Sequence, residues 1–190
     1  MSKLIYIDVE TGGLDHKIHP LLQISCIVEI DGVVKEVFDR TIEATDDDVL
    51  DKEALEITGY KRGVDGQDPT RVVYLAFKKM LARYVDPYNR LDKFYMVTYN
   101  GQAFDIQFIR SWFEKQDDAF MGSWFYYPCV DVMLMAAFMC IGQRHLLGDF
   151  KLMTVAKSLG IEVDNAKLHD AMYDIELTKE VFDIIRKEVN

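Results

Sequence analysis

The sequence predicts an α/β protein in which a mixed sheet is flanked by helices, and the order of its patterns carries that prediction. Strand patterns crowd the first quarter of the chain, a helix and a fourth strand follow, and four helical patterns fill the remainder. Leu4 to Val9 is a short apolar run rich in β-formers. Leu22 to Ile30 alternates, with Leu22, Ile24, Cys26, Val28 and Ile30 on one face. Asp31-Gly32 then forms a two-residue turn into a third strand, Val33 to about Ile42, so the three strands make an antiparallel meander.

Glu43 to Glu53 is strongly acidic and leads into a short helix near Leu50 to Thr58, which Gly59 closes. A longer helix is expected from about Thr70 to Val85, with Pro69 beside its start and Val73, Phe77 and Tyr84 at helical spacing. A fourth strand follows at Phe94 to Tyr99. Helices are then expected at about Ala103 to Gln116, Val132 to Ile141, Phe150 to Leu159 and Asp170 to Val189.

With 190 residues, 49% of them hydrophobic, the chain can bury one sizeable core, and no repeat, low-complexity tract or linker marks a second. A single domain over residues 1–190 is expected. The three cysteines, Cys26, Cys129 and Cys140, are odd in number, lack CxxC spacing and sit in apolar segments, which points to a reducing, cytoplasmic setting without disulfides or structural zinc. The N-terminus turns charged too soon for a signal peptide. The longest apolar run, Val132 to Ile141, is too short to span a membrane and reads as a buried core helix. A net charge of −10 argues against non-specific grip on nucleic acid, unless carboxylates bind divalent cations that place positive charge where a phosphate must sit.

Three motifs carry chemistry. Asp8 and Glu10 lie two apart at the end of the first strand, so both point to one face, and Thr11-Gly12-Gly13 follows as a glycine turn that a substrate backbone can approach closely. Asp105 sits in YNGQAFDIQFI at a strand-to-helix junction. His169 precedes the last helix, and Asp174 falls five residues later in its first turns. Each has a structural explanation when taken alone: exposed strand-end acids, a helix-capping aspartate, a structural histidine or an amphipathic-helix acid.

Together Asp8, Glu10, Asp105, His169 and Asp174 resemble the DEDDh family of 3′-to-5′ exonucleases, which includes the proofreading epsilon subunit of bacterial DNA polymerase III. The resemblance runs from IDVETGGLD through NGQAFDIQFI to HDAMYD, with KLMTVAKSLGIEV before the last block. It implies an RNase H-like fold with a central mixed five-stranded sheet flanked by helices. It also implies that Asp8, Glu10, Asp105 and Asp174 hold two Mg²⁺ or Mn²⁺ ions, and that His169 is the general base. All-oxygen ligand sets suit these ions, and a histidine with an ordinary pKa of about 6.5 can take a proton near neutral pH.

Further roles are implied for the terminal nucleotide. Thr11 and the Gly12 and Gly13 amides would touch it, Leu14 would wedge against its base, and Asn100 and Phe104 would line its pocket, with core packing the alternative for Leu14 and Phe104. Asp131 and Asp170 read as helix caps. Lys17, Arg62, Arg110, Arg144 and Lys151 are candidate phosphate contacts or ordinary surface charges. The implied reaction is hydrolysis of the 3′-terminal phosphodiester of single-stranded or frayed nucleic acid, DNA favoured, releasing nucleoside 5′-monophosphates. The competing readings are an accessory module that grips a strand end or a polymerase, and a phosphohydrolase of free nucleotides. Only sixteen residues follow Asp174, and they continue the helical stripe, so no polymerase-docking tail is evident and a monomer or small homo-oligomer is expected.

Overall fold

The computed structural model describes residues 2–167 and 170–189. Its centre is a six-stranded sheet in the order β4-β3-β2-β1-β5-β6. Strands β1 (Lys3–Thr11), β2 (Leu21–Ile30) and β3 (Val33–Glu43) form the expected antiparallel meander. The hairpin turn is left-handed at both Asp31 (φ 49°) and Gly32 (φ 79°), the geometry that matches the twist of the flanking strands. Strand β5 (Tyr95–Thr98) joins β1 in parallel.

Two strands went unforeseen as residue patterns, and with the four read from the sequence they make six, where the resemblance implied five. They are β4 (Gln67–Pro69), parallel to β3, and β6 (Val130–Asp131), parallel to β5. With three and two residues, neither is long enough to show an alternation.

Helix α1 (Lys52–Thr58) ends at Gly59, whose φ of 66° provides the left-handed cap. Helix α2 (Thr70–Leu81) stops short of Val85 because the chain tightens into turns, with the Arg83 and Tyr84 amides reaching back three residues. Helix α3 (Asp105–Lys115) follows β5. Next come α4 (Val132–Met139) with a 3₁₀ segment at Ile141–Leu146, α5 (Leu152–Ser158) and α6 (Ala171–Val189).

The expectation of a buried core helix at Val132 to Ile141 is corrected. In α4 only Val132 and Ala136 are buried, whereas Phe138 is 72% exposed and Leu134 and Ile141 also face outward. The run is apolar all round, but only one side of it meets α6. Among the described residues, no helix is long and apolar enough to cross a membrane.

The alternation of β1 divides the core in two. Ile5, Ile7 and Val9 pack with Val73, Phe77 and Met80 of α2 and with Ile109 and Phe113 of α3. Leu4 and Tyr6 pack on the other face with Ile175, Val181, Phe182 and Ile185 of α6 and with Val155 and Ala156 of α5. Each fully buried Ile, Phe or Met contributes on the order of 1.5–3 kcal/mol. The same alternation turns Asp8 and Glu10, which follow Leu4 and Tyr6 in step, toward the α6 side.

Candidate active site

Strand β1 runs on to Thr11, so Asp8 and Glu10 lie within its last residues, with a register shift between Glu10 and Thr11. Asp105 opens α3 and is 4% exposed. It reaches back across the sheet end, where its Oδ1 accepts the Val9 amide at 3.1 Å. That contact fixes the carboxyl between the neighbours of Val9, and a hydrogen bond joins it to Asp8. Asp174 comes from the first turn of α6, whose start is held by the Asp170 carbonyl accepting the Asp174 amide at 2.9 Å.

These carboxylates act on one another electrostatically. Burial, followed by the charges of Asp105, Glu10 and Asp174, pushes the Asp8 carboxyl well above the usual range. Burial and the charges of Asp174, Asp105 and Asp170 raise Glu10 to about 8. Burial raises Asp105 to about 7, against the lowering effect of its own amide and that of Val9. Clustered acids that cannot all ionise together form a site in want of positive charge.

Among the described residues, no three His, Cys, Asp or Glu side chains are already arranged as a set that could hold an ion. The donor chemistry nevertheless fits a hard divalent cation: only carboxylate oxygens, mutually repelling, with one Asp–Asp hydrogen bond that needs a proton where a cation would serve. His169 lies outside the described residues.

The loop carrying Asn100 to Phe104 is held from two directions. Asp131, 7% exposed, accepts the Asn100 amide at 3.0 Å and the Met133 amide at 3.1 Å through Oδ1, and the Gln102 amide at 3.4 Å through Oδ2. It therefore caps α4, as expected, and also braces the loop that leads to Asp105, a role its capping pattern did not disclose. Asp170 likewise caps α6 through the Tyr173 amide at 3.0 Å. Asn100 is left-handed (φ 61°) and exposed, and Phe104 is half-buried against Phe108, with ring centroids 4.9 Å apart. A Cβ on Gly101 would lie 2.5 Å from the Thr98 Cβ and 2.7 Å from an Asp105 oxygen, so only glycine fits there.

The turn after Glu10 is equally constrained. The Thr11 hydroxyl donates to the Gly13 carbonyl at 2.8 Å. The Gly12 amide donates to the Pro20 carbonyl at 3.0 Å, which corrects the expectation that it faces a nucleotide. The Gly12 carbonyl in turn accepts the Asp51 amide at 2.7 Å. His19 lies directly under Gly13, where an added Cβ would come within 2.5 Å of its ring. Its Nδ1 accepts the Asp15 amide at 3.0 Å, and its Nε2 stands 3.3 Å from the Asp51 carboxylate. Nothing in the sequence marked this clamp, because its two halves are 32 residues apart and neither sits in a motif. Leu14 projects from the loop at 82% exposure, which removes core packing as its explanation.

The candidate phosphate contacts are dispersed. Arg62 pairs with Asp46 at 3.0 Å, and Arg144 donates to the Leu147 carbonyl and lies over the Phe150 ring. Lys17, Arg110 and Lys151 are exposed.

A mixed sheet with acidic side chains at one strand end and at two helix starts defines an acidic centre on an α/β scaffold. A family model described as Exonuclease (RNase_T) matches residues 5–182, and the chain belongs to that family, as a DEDDh-type 3′-to-5′ exonuclease domain. Over 101 residues the chain is 30% identical to a DNA polymerase III PolC-type of Mycoplasma genitalium, and over 99 residues 29% identical to that of Mycoplasma pneumoniae. These matches cover 53% and 52% of the chain and 6% of each polymerase. Among solved structures, the zinc-bound form of an E. coli exonuclease I–single-stranded DNA complex superimposes with a TM-score of 0.79 at 19% identity, over 99% of this chain and 41% of that one. The complex of E. coli exonuclease I with a dT13 oligonucleotide gives 0.76 at 21% identity, over 98% and 41%. The chain thus spans well under half the length of these relatives, and the likeness in structure is one of fold.

Proposed function

We propose that this chain removes nucleotides from the 3′ end of single-stranded or frayed nucleic acid, DNA favoured, in a metal-dependent hydrolysis that releases nucleoside 5′-monophosphates. The observation that carries this reading is the convergence of Asp8, Glu10, Asp105 and Asp174, with three carboxyls driven toward protonation by burial and by one another. These four residues would hold two Mg²⁺ or Mn²⁺ ions. Bound there, such ions supply a water made acidic near neutral pH and charge stabilisation for the leaving 3′-oxygen.

The chain's own residues supply position. Asp105 is locked to β1 through the Val9 amide, so its carboxyl cannot swing away when substrate arrives. Asp131 holds the Asn100–Gln102 backbone that leads into it. The clamped loop raises Leu14 as an apolar surface on which a terminal base can rest. His169, five residues before Asp174, is the proposed acceptor of the water proton. That exonuclease I structures contain single-stranded DNA supports the substrate class.

The test is digestion of a 5′-labelled single strand by purified protein with Mg²⁺ or Mn²⁺. The expected result is a ladder shortening from the 3′ end with 5′-monophosphates as product, stopped by chelator and by Asp105→Asn. His169→Ala should lose about 10²- to 10⁴-fold in rate while substrate binding persists. Internal cleavage, or an undiminished ladder in chelator, would overturn the reading.

A further inference from the structure

At the opposite end of α3 from Asp105, the chain carries a groove rich in cations and aromatic rings. It lies between α2, residues 86–93 and residues 117–124, and has a volume of about 900 Å³. Arg71, Lys78, Arg90 and Lys93 line it against only two acids, Asp117 and Asp118, in a chain whose net charge is −10. Asp118 and Lys78 neutralise each other, the carboxylate accepting from the Tyr74 hydroxyl at 2.7 Å and from the Lys78 ammonium at 2.5 Å, so Arg71, Arg90 and Lys93 are the cations left against Asp117. Two aromatic rings stand in this basic groove almost wholly in solvent, Tyr88 at 94% and Phe120 at 72% exposure, while Trp124 forms part of its wall.

The groove is not isolated from the active site. Gln116 lines it and also lines a neighbouring cavity of about 260 Å³, whose other lining residues include His16 from the loop that bears Leu14. The two depressions thus follow α3, whose 11 residues rise about 16 Å from Asp105 to Lys115. The intervening cavity sets Glu43 and Asp48 against Lys115, so phosphates would be held in the groove rather than along the way.

We propose that this groove is a second binding site, for the single-stranded segment of nucleic acid on the 5′ side of the reacting end. This rests on the exonuclease reading and extends it by making substrate length a determinant of affinity. Cations that track a phosphate backbone, interleaved with exposed rings on which bases stack irrespective of sequence, are the two requirements of single-strand binding. Charge complementarity favours a polyanion, and the rings favour one that carries bases.

The test separates binding from hydrolysis. Labelled single strands of about 12 and about 3 nucleotides, as DNA and as RNA, are titrated in chelator and followed by fluorescence anisotropy, with wild type expected to bind the longer strand about tenfold or more tightly. The double variant Tyr88→Ala, Arg90→Glu alters exposed side chains only. It should lose that preference in whichever of the two nucleic acids shows it, flatten the salt dependence by about one charge, and still bind and digest the trinucleotide as wild type does. Wild-type affinity for the long strand in the double variant would overturn the proposal, as would equal binding of the two lengths by the native protein. Competition by a polyglutamate peptide as effective as the long strand would also overturn it, by identifying an acidic protein as the occupant. Absence of trinucleotide hydrolysis in both proteins would instead count against the exonuclease reading, while anisotropy still decides the groove.

Discussion

Asp105→Asn preserves the side-chain shape and the acceptor for the Val9 amide while removing one charge from the carboxylate cluster. Hydrolysis should be nearly abolished. The protein should also melt higher, by about 2–8 °C, because relieving a carboxyl raised to about 7 is worth on the order of 1–2 kcal/mol at neutral pH. Turnover with Mg²⁺ beside a thermal melt checks both, and near wild-type turnover would remove Asp105 from the site. Asp131→Ala acts differently. It strips three backbone amides of their acceptor, which should cost about 1–3 kcal/mol and lower activity through the loop rather than through charge, seen as a lower melting temperature together with slower turnover. The contrast shows what could be read at this scale. Asp8, Glu10, Asp105 and Asp174 were legible because each stands in a short motif at an element end. The bracing by Asp131 was not, because an aspartate before an apolar helix has the same pattern whether or not it also reaches a loop 31 residues earlier.

At the scale of elements, what was legible follows from length. The meander of β1, β2 and β3 has 9 to 11 residues per strand, enough for alternation and a hairpin turn to declare themselves, and α1 announced its end through Gly59. The parallel strands β4 and β6 have too few residues to carry a period and form only because β3 and β5 offer them an edge. The loop 12–20 belongs to the same class: its shape comes from His19 and Asp51 rather than from local preference. His19→Ala should leave a void beneath Gly13 and free the loop that presents Leu14. The expected outcome is a rise in KM for single-stranded substrate larger than the fall in kcat, since Asp8, Glu10, Asp105 and Asp174 keep their own supports. Steady-state kinetics check this, and a loss confined to kcat would place His19 in the chemistry instead.

For the whole molecule, the acidic cluster should set how stability responds to pH and metal together. Glu10 at about 8 and Asp105 at about 7, with Asp8 raised as well, bind protons in the folded chain that the unfolded chain releases near pH 4. Their contribution is therefore fully present below about pH 4 and is lost as pH rises toward about 8, because the folded state binds more protons throughout that window. The lowered carboxyls work the other way and elsewhere. Asp92, held down by the Asp86 amide and Lys3, and Asp118, held down against its burial by Lys78 and Tyr74, change stability only as pH falls through their own low values. The interval from about pH 5.5 to about pH 8 thus isolates the active-site cluster from these two. Without metal, the melting temperature should fall across that interval by about 4 °C or more, corresponding to on the order of 2 kcal/mol. Millimolar Mg²⁺ binds the ionised cluster of the folded chain and should raise the melting temperature by mass action, strongly near pH 8 and weakly near pH 5.5, where protons compete for the same oxygens. Asp105→Asn should flatten both the metal-free slope and the Mg²⁺ increment. Calorimetric melts with chelator and with Mg²⁺ at the two pH values decide it. A metal-free melting temperature that rises with pH, or a Mg²⁺ increment equal at both, would mean that these carboxylates do not form one cation site.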